Sequence, residues 1–228
     1  MKEQDLKIMN KKVSVVFLGA FNPVMFQPIW FKDHNIINPS EIDSSINQKK
    51  CFLTPDITIF STDQFDIRIE NNRFSITSKK EPFLILKDTI KKTFLELGGI
   101  PIKAMGINSS AHYILPDMEM LHKIGDIIAP KQYWKKLLKN NIEGNDRKGG
   151  LLEIRMSNNK ENNEGSVNVF FTKSSKFDTA IFIETNDHYQ FNTNIDIEQA
   201  LIILDKNFEV SQQNSFDIQK SLFEGLYD

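Results

Sequence analysis

The sequence predicts an α+β protein, an antiparallel sheet with helices largely on one face, and three observations carry that expectation. Period-two alternation runs through Phe65–Glu70 and returns through Phe74 and Ile76, with Asn71-Asn72 between them as a two-residue turn. Apolar residues at helical spacing (Phe83, Leu86, Ile90, Phe94, Leu97) follow directly. The order strand–strand–strand–helix then occurs twice, over 57–97 and over 151–208. Strands grouped before a helix, rather than alternating with helices, argue for an antiparallel sheet. They also allow two pseudo-related lobes.

Taken in order, Val13–Leu18 is apolar on both faces and reads as an inner strand. Phe21–Phe31 is punctuated by Pro23 and Pro28 and reads as an irregular loop laid across the body. Asn38-Pro39-Ser40-Glu41 has the residues of a helix start, with Asn38 as cap. After the hairpin and the helix over 82–97, Gly98 supplies a left-handed stop. Ile100–Asn108 is the next strand, and Ala111–Leu115 extends it beyond an irregularity. Pro116-Asp117 opens a helix with the stripe Leu121, Ile124 and Ile128. Pro130 starts another, on which Tyr133, Trp134, Leu137 and Leu138 would dock. Strands at Leu151–Met156, Ser166–Thr172 and Thr179–Thr185 precede a helix using Ile197, Leu201, Leu204 and Phe208. Ser211–Ser215 reads as a polar linker to a short terminal helix over 216–227. The expected organisation is an N-terminal lobe over 1–140, a second over 150–210 and a helical tail over 211–228.

Composition bounds the function. A formal net charge of -2 gives no global field for nucleic acid or an anionic membrane. Cys51 is the only cysteine, which rules out an internal disulfide, suits a reducing cytosol and excludes a thiolate-rich zinc centre. The spacing of His112 and His122 matches no metal motif, so no metal and no cofactor is expected. Gly-x-Ser-x-Gly and phosphate-cradling glycine patterns are absent. Lys91-Lys92 and Lys135-Lys136, beside Tyr133 and Trp134, could contact nucleic acid, but read more simply as the wet faces of two helices. The first dozen residues make neither a signal peptide nor a membrane span, so the expected location is the cytoplasm.

Two similar stretches hold what polar chemistry there is: Asn108-Ser-Ser-Ala-His112-Tyr113 and Asn186-Asp187-His188-Tyr189, each read as lying at a strand end. If the two ends meet, one imidazole could act as a base while Asp187 fixes its tautomer. Asn108, Asn186 and Tyr189 would then contact a ligand. The plainer account is that asparagine caps a turn and His-Tyr covers a sheet margin. Two apolar segments offer a different chemistry. Phe26, Trp30 and Phe31 in the proline-spaced stretch, and Phe216, Leu222, Phe223 and Leu226 in the tail, either cover the chain's own core or await a partner.

The pattern Phe21-Asn-Pro, Trp30-Phe31, Thr54-Pro55-Asp56, Ala104–Asn108, His112, Ile124-Gly-Asp126, Ala129-Pro130, Trp134 and Asn186–Tyr189 resembles a loose group of sporadically distributed bacterial proteins with no established activity. The resemblance covers roughly residues 13–191. It carries over no catalytic residue. Patchy distribution implies genes that travel with mobile or phage-defence loci. The resulting expectation is a non-enzymatic accessory subunit of a bacterial assembly that contacts a protein encoded nearby. The alternative is an enzyme or small-ligand binder using the His112 and His188 region.

Overall fold

The computed structural model describes residues 7–134, 150–161 and 164–226. Nine strands form one antiparallel sheet, so the fold is α+β. They are β1 Ile8–Gly19, β2 Cys51–Leu53, β3 Ile57–Ser61, β4 Phe65–Glu70, β5 Arg73–Ser78, β6 Pro101–Ile114, β7 Glu153–Asn159, β8 Gly165–Lys173 and β9 Ala180–Asp196. Among the described residues five α-helices accompany them: α1 Pro28–Asp33, α2 Pro39–Asn47, α3 Leu84–Leu95, α4 Met118–Ile128 and α5 Ile197–Gly225.

The spatial order β2-β3-β4-β5-β1-β6-β9-β8-β7 has an internal logic. Each half starts with a strand at the centre of the sheet, β1 or β6. The chain then travels out to an edge, meanders back until β5 or β9 lies beside that central strand, and finishes on a helix, α3 or α5. The strand–strand–strand–helix repeat expected from the sequence is therefore present as two halves of one sheet, joined where β1 pairs antiparallel with β6. Residues 140–149, where the boundary between lobes was placed, lie outside the described residues.

Alternation along the strands sorts side chains onto two unlike faces. One face carries Val13, Val15, Phe17, Phe60, Ile67, Phe74, Ile76, Met105 and Ile107, all buried against helices. Within it Phe17, Phe74 and Phe94 pack with Phe21 and Phe26 at ring-centroid distances of 4.9–6.4 Å, the range aromatic pairs favour. A second cluster forms at the other end from Ala111, Tyr113, Phe171, Ile181, Ile183, Ile124 and Phe223. The 29-residue α5 serves both clusters, with Ala200, Leu204 and Phe208 in the first and Phe223, followed by its C-cap Leu226, in the second.

Several sequence expectations change here. Phe21–Phe31 is not a loop. Pro23 begins a 3-10 turn capped by Asn22, and Pro28 begins α1, positions where the missing N–H has no partner to lose. Ser211–Ser215 is not a linker, because α5 runs through it without a break. Tyr133 ends a 3-10 turn and Trp134 follows it, and they stay 71% and 49% exposed, so they are not docked; Lys135, Lys136, Leu137 and Leu138 lie outside the described residues. The left-handed residue after α3 is Gly99 (φ 74°), not Gly98. Against β9 the register of β6 shifts only between Ile102 and Ala104; the irregularity expected beside Ala111 lies in its pairing with β1, which bulges between Met9 and Lys12 opposite Ser110–His112.

Candidate functional site

The stretch Asn186-Asp187-His188-Tyr189 lies inside the 17-residue β9 rather than at a strand end, and the pleat divides it. Asn186 and His188 stand opposite Asn108 and Gly106, on the face away from the helices. Asp187 and Tyr189 stand opposite Ile107 and Met105, on the helix side. His112 is opposite Phe182, six residues along β6 from the partner of His188. At ~3.4 Å per residue the two imidazoles are about 20 Å apart along the strand and share no pocket. The expected cluster of His112, His188 and Asp187 is therefore not formed.

No described helix packs on the outward face, and a polar row crosses it. Ser61, Asp66, Thr77, Ser14, Asn108, Asn186, Asn168 and Ser157 occupy successive register positions on eight adjacent strands. Beside this row a groove of about 560 Å³ is lined by Lys12, Ser14, Asp66, Ser110, His112, Phe170, Phe182, Glu184 and Lys176. An uncovered antiparallel face is ordinarily just a wetted surface. This one differs in how deeply its central polar groups sit. Asn108, Ser110 and His112 are only 8%, 9% and 5% exposed. The Asn186 Oδ1 acceptor is buried without a hydrogen-bond partner among the described residues.

Two titratable groups in this groove are displaced in opposite senses. Burial lowers the His112 pKa below the usual histidine value, and the charges of Lys176 and Lys12 lower it further. Its Nδ1 is 2.9 Å from Ser174 Oγ, and its ring packs against Phe177 and Phe182 at 5.4 and 5.0 Å. Burial raises Glu184 above the usual carboxyl range, against the opposing charges of Arg155 and Arg73. At the groove's other wall burial also pushes Asp66 upward. There the Ser61 and Lys79 hydrogen bonds, with the charges of Lys79 and Lys12, outweigh it and leave the pKa lowered. Both environments favour uncharged His112 and a proton on Glu184 relative to their free forms.

Asp187 and Tyr189 line a different cavity, a cleft of about 740 Å³ between α5 and strands β8 and β9. The Tyr189 hydroxyl donates to Asp187 Oδ2 at 2.9 Å, and Lys160 Nζ meets Asp187 Oδ1 at 2.5 Å. The same ammonium lies 3.2 Å from the centroid of the Tyr189 ring. Burial and the neighbouring Asp187 charge raise the phenol pKa well above its usual value. Beside this contact the close pairing of β8 with β9 requires Gly165 (φ 139°), where any Cβ would collide with the His188 carbonyl oxygen.

Of the residues expected to meet a partner, Phe26, Phe31, Phe223 and Leu226 are buried in this chain's own core, with exposures of 1%, 0%, 1% and 7%. Trp30, Phe216 and Leu222 are half-buried against the same clusters. Sequence reasoning missed Glu184, Lys12, Ser14 and Lys160. Alternation alone would have put Glu184 and Asn186 on one face, but their neighbours come from strands far away in the chain. Among the described residues no group of three His, Cys, Asp or Glu side chains could hold a metal ion. No described helix is long and apolar enough to cross a membrane. No protein-family model matches the chain, and no curated protein matches it.

Proposed function

We propose that this chain is a binding protein whose outward sheet face receives a small polar ligand carrying an anionic group. The observation that carries the reading is the pair His112 and Glu184, both withdrawn from water and shifted in opposite senses within one groove. Burying such groups on a face that no described helix covers opposes stability, and perturbed groups in a cleft are a common mark of function. Lys12 and the exposed Lys176 supply the positive charge. Ser14 and Ser110 offer hydrogen bonds, and Phe170 and Phe182 form an apolar wall. A volume of about 560 Å³ suits a small molecule. The accessory-subunit reading drew on the aromatic stretch and the tail, of which Phe26, Phe31, Phe223 and Leu226 are buried in the chain's own core while Trp30, Phe216 and Leu222 are half-buried.

Thermal-shift screening of polar carboxylates and phosphates against the intact chain tests this. A stabilising ligand is expected, and Lys176→Glu and Ser110→Leu should each abolish its effect. A ligand whose effect survives both changes would locate binding elsewhere and remove the basis of the reading.

A further inference from the structure

The cleft beneath α5 lies on the opposite side of the sheet from the groove and is independent of it. Its central contact is unusual for a simple ion pair. Lys160 arrives from the turn between β7 and β8 and places its ammonium against both a carboxylate oxygen of Asp187, at 2.5 Å, and the face of Tyr189, at 3.2 Å. A carboxylate with an aromatic face beside it is the chemistry by which proteins recognise organic ammonium groups. The Tyr189 hydroxyl is already committed to the other oxygen of Asp187, so the recognition geometry is held in place independently of the lysine.

The surroundings extend the site. An ion pair that merely stapled the hairpin to the sheet would need no adjoining space, yet about 740 Å³ opens beside it. Val167, Val210 and Ile218 give apolar walls, and Asp217 places a second carboxylate on the α5 side. Ser211 Oγ, also on that wall, is buried with no hydrogen-bond partner among the described residues. With Asp187 and Asp217 against Lys160 alone, the lining has one negative charge in excess.

We infer that this cleft is a binding site for an aliphatic diamine, and that Lys160 is a tethered occupant which the ligand displaces from between Asp187 and Tyr189. One ligand ammonium takes the place of the lysine, the methylene chain lies along Val167, Val210 and Ile218, and the second ammonium faces Asp217.

Calorimetric titration of the intact chain with cadaverine tests the inference, with 1,5-pentanediol as an uncharged molecule of like shape. Removing a tethered competitor raises apparent affinity, so Lys160→Ala should bind cadaverine at least about tenfold more tightly than the parent. Lys160→Met, which keeps an apolar stem, should behave the same way. Adding Asp187→Asn to either should abolish the gain. Val210→Trp, at a 60% exposed helix position, should block binding while leaving the melting temperature unchanged. Equal affinity in parent and Lys160→Ala, a gain that survives Asp187→Asn, or pentanediol binding as tightly as cadaverine would each overturn it.

Discussion

The Tyr113 hydroxyl donates to Gln219 Oε1 at 3.1 Å, across an interface in which Tyr113 is 1% and Gln219 0% exposed. This bond ties the central strand β6 to the last third of α5. Gln219 Nε2 continues the link by donating to the Ser109 carbonyl and to Thr185 Oγ1, at 2.8 and 3.2 Å. A single buried amide thus holds two strands and a helix together. Burial also raises the Tyr113 pKa well above its usual value, keeping the phenol a donor.

Replacing Gln219 by leucine would leave the Tyr113 hydroxyl without its partner in a dry interface and remove the donor to the Ser109 carbonyl and Thr185. Each orphaned group costs about 1–3 kcal/mol, and urea denaturation should register a loss of that order. Adding Tyr113→Phe removes one orphan and should restore part of the loss. A double variant no more stable than Gln219→Leu alone would show that the bond carries little of the coupling.

The aromatic stretch should behave as core rather than as surface. Phe26 touches Phe21, Phe74 and Phe94 at 5.6–6.4 Å and is 1% exposed. Phe26→Ala is expected to cost about 3–5 kcal/mol. The neighbouring Met25, 47% exposed, should tolerate alanine within about 0.5 kcal/mol. Equal effects at the two positions, measured by chemical denaturation, would contradict the packing.

Glu184 and His112 make opposite contributions to the pH dependence of stability. A carboxyl whose folded pKa is raised stabilises the fold below its unfolded value. That contribution is lost as pH rises through the folded value. Glu184→Gln should therefore match the parent near pH 4 and exceed its stability at about pH 7.5. His112 has a depressed folded pKa, so its contribution is present above the usual histidine range and is lost as pH falls below it. A His112→Gln variant should lose less stability than the parent on acidification from about pH 7 to pH 5. Parallel curves for parent and variants would mean that neither group is desolvated.

Gly165→Ala should disturb the β8–β9 pairing near Lys160. At φ 139° an alanine is strained, and its methyl group meets the His188 carbonyl. A loss of roughly 1–3 kcal/mol is expected, with faster amide exchange at Tyr189 and Gln190. Unchanged exchange there would show that the strands part easily to make room.

Elements specified by neighbouring residues were readable in the sequence. The hairpin pairing Glu70 with Arg73 follows from strict alternation and an Asn-Asn turn, and Phe83, Leu86, Ile90 and Phe94 mark the buried stripe of α3. Elements defined by distant partners were not. β9 continues past Thr185 through polar residues because one set lines an open face and the other a cleft, and neither location shows in a single strand. The seam of α5 uses Ser211, Ser215 and Gln219, all buried, so its middle imitates a linker. Pro23 and Pro28 start helical turns that their usual role as breakers conceals. The groove joins Ser14, Ser110 and Glu184 through register between remote strands, which a lone sequence does not encode legibly.

The course of α5 has a consequence for how the molecule is made. All nine strands precede this helix in the chain, and it supplies the cover for both apolar clusters. During synthesis α3 and the turn at Pro23 can cover the β3–β5 part of the oily side early, but the part over β6 and β9 stays bare until residues beyond Ile197 emerge. A nascent chain stalled before that point would present Ile107 and Ile183 to its neighbours, making it a client for chaperones and a seed for aggregates.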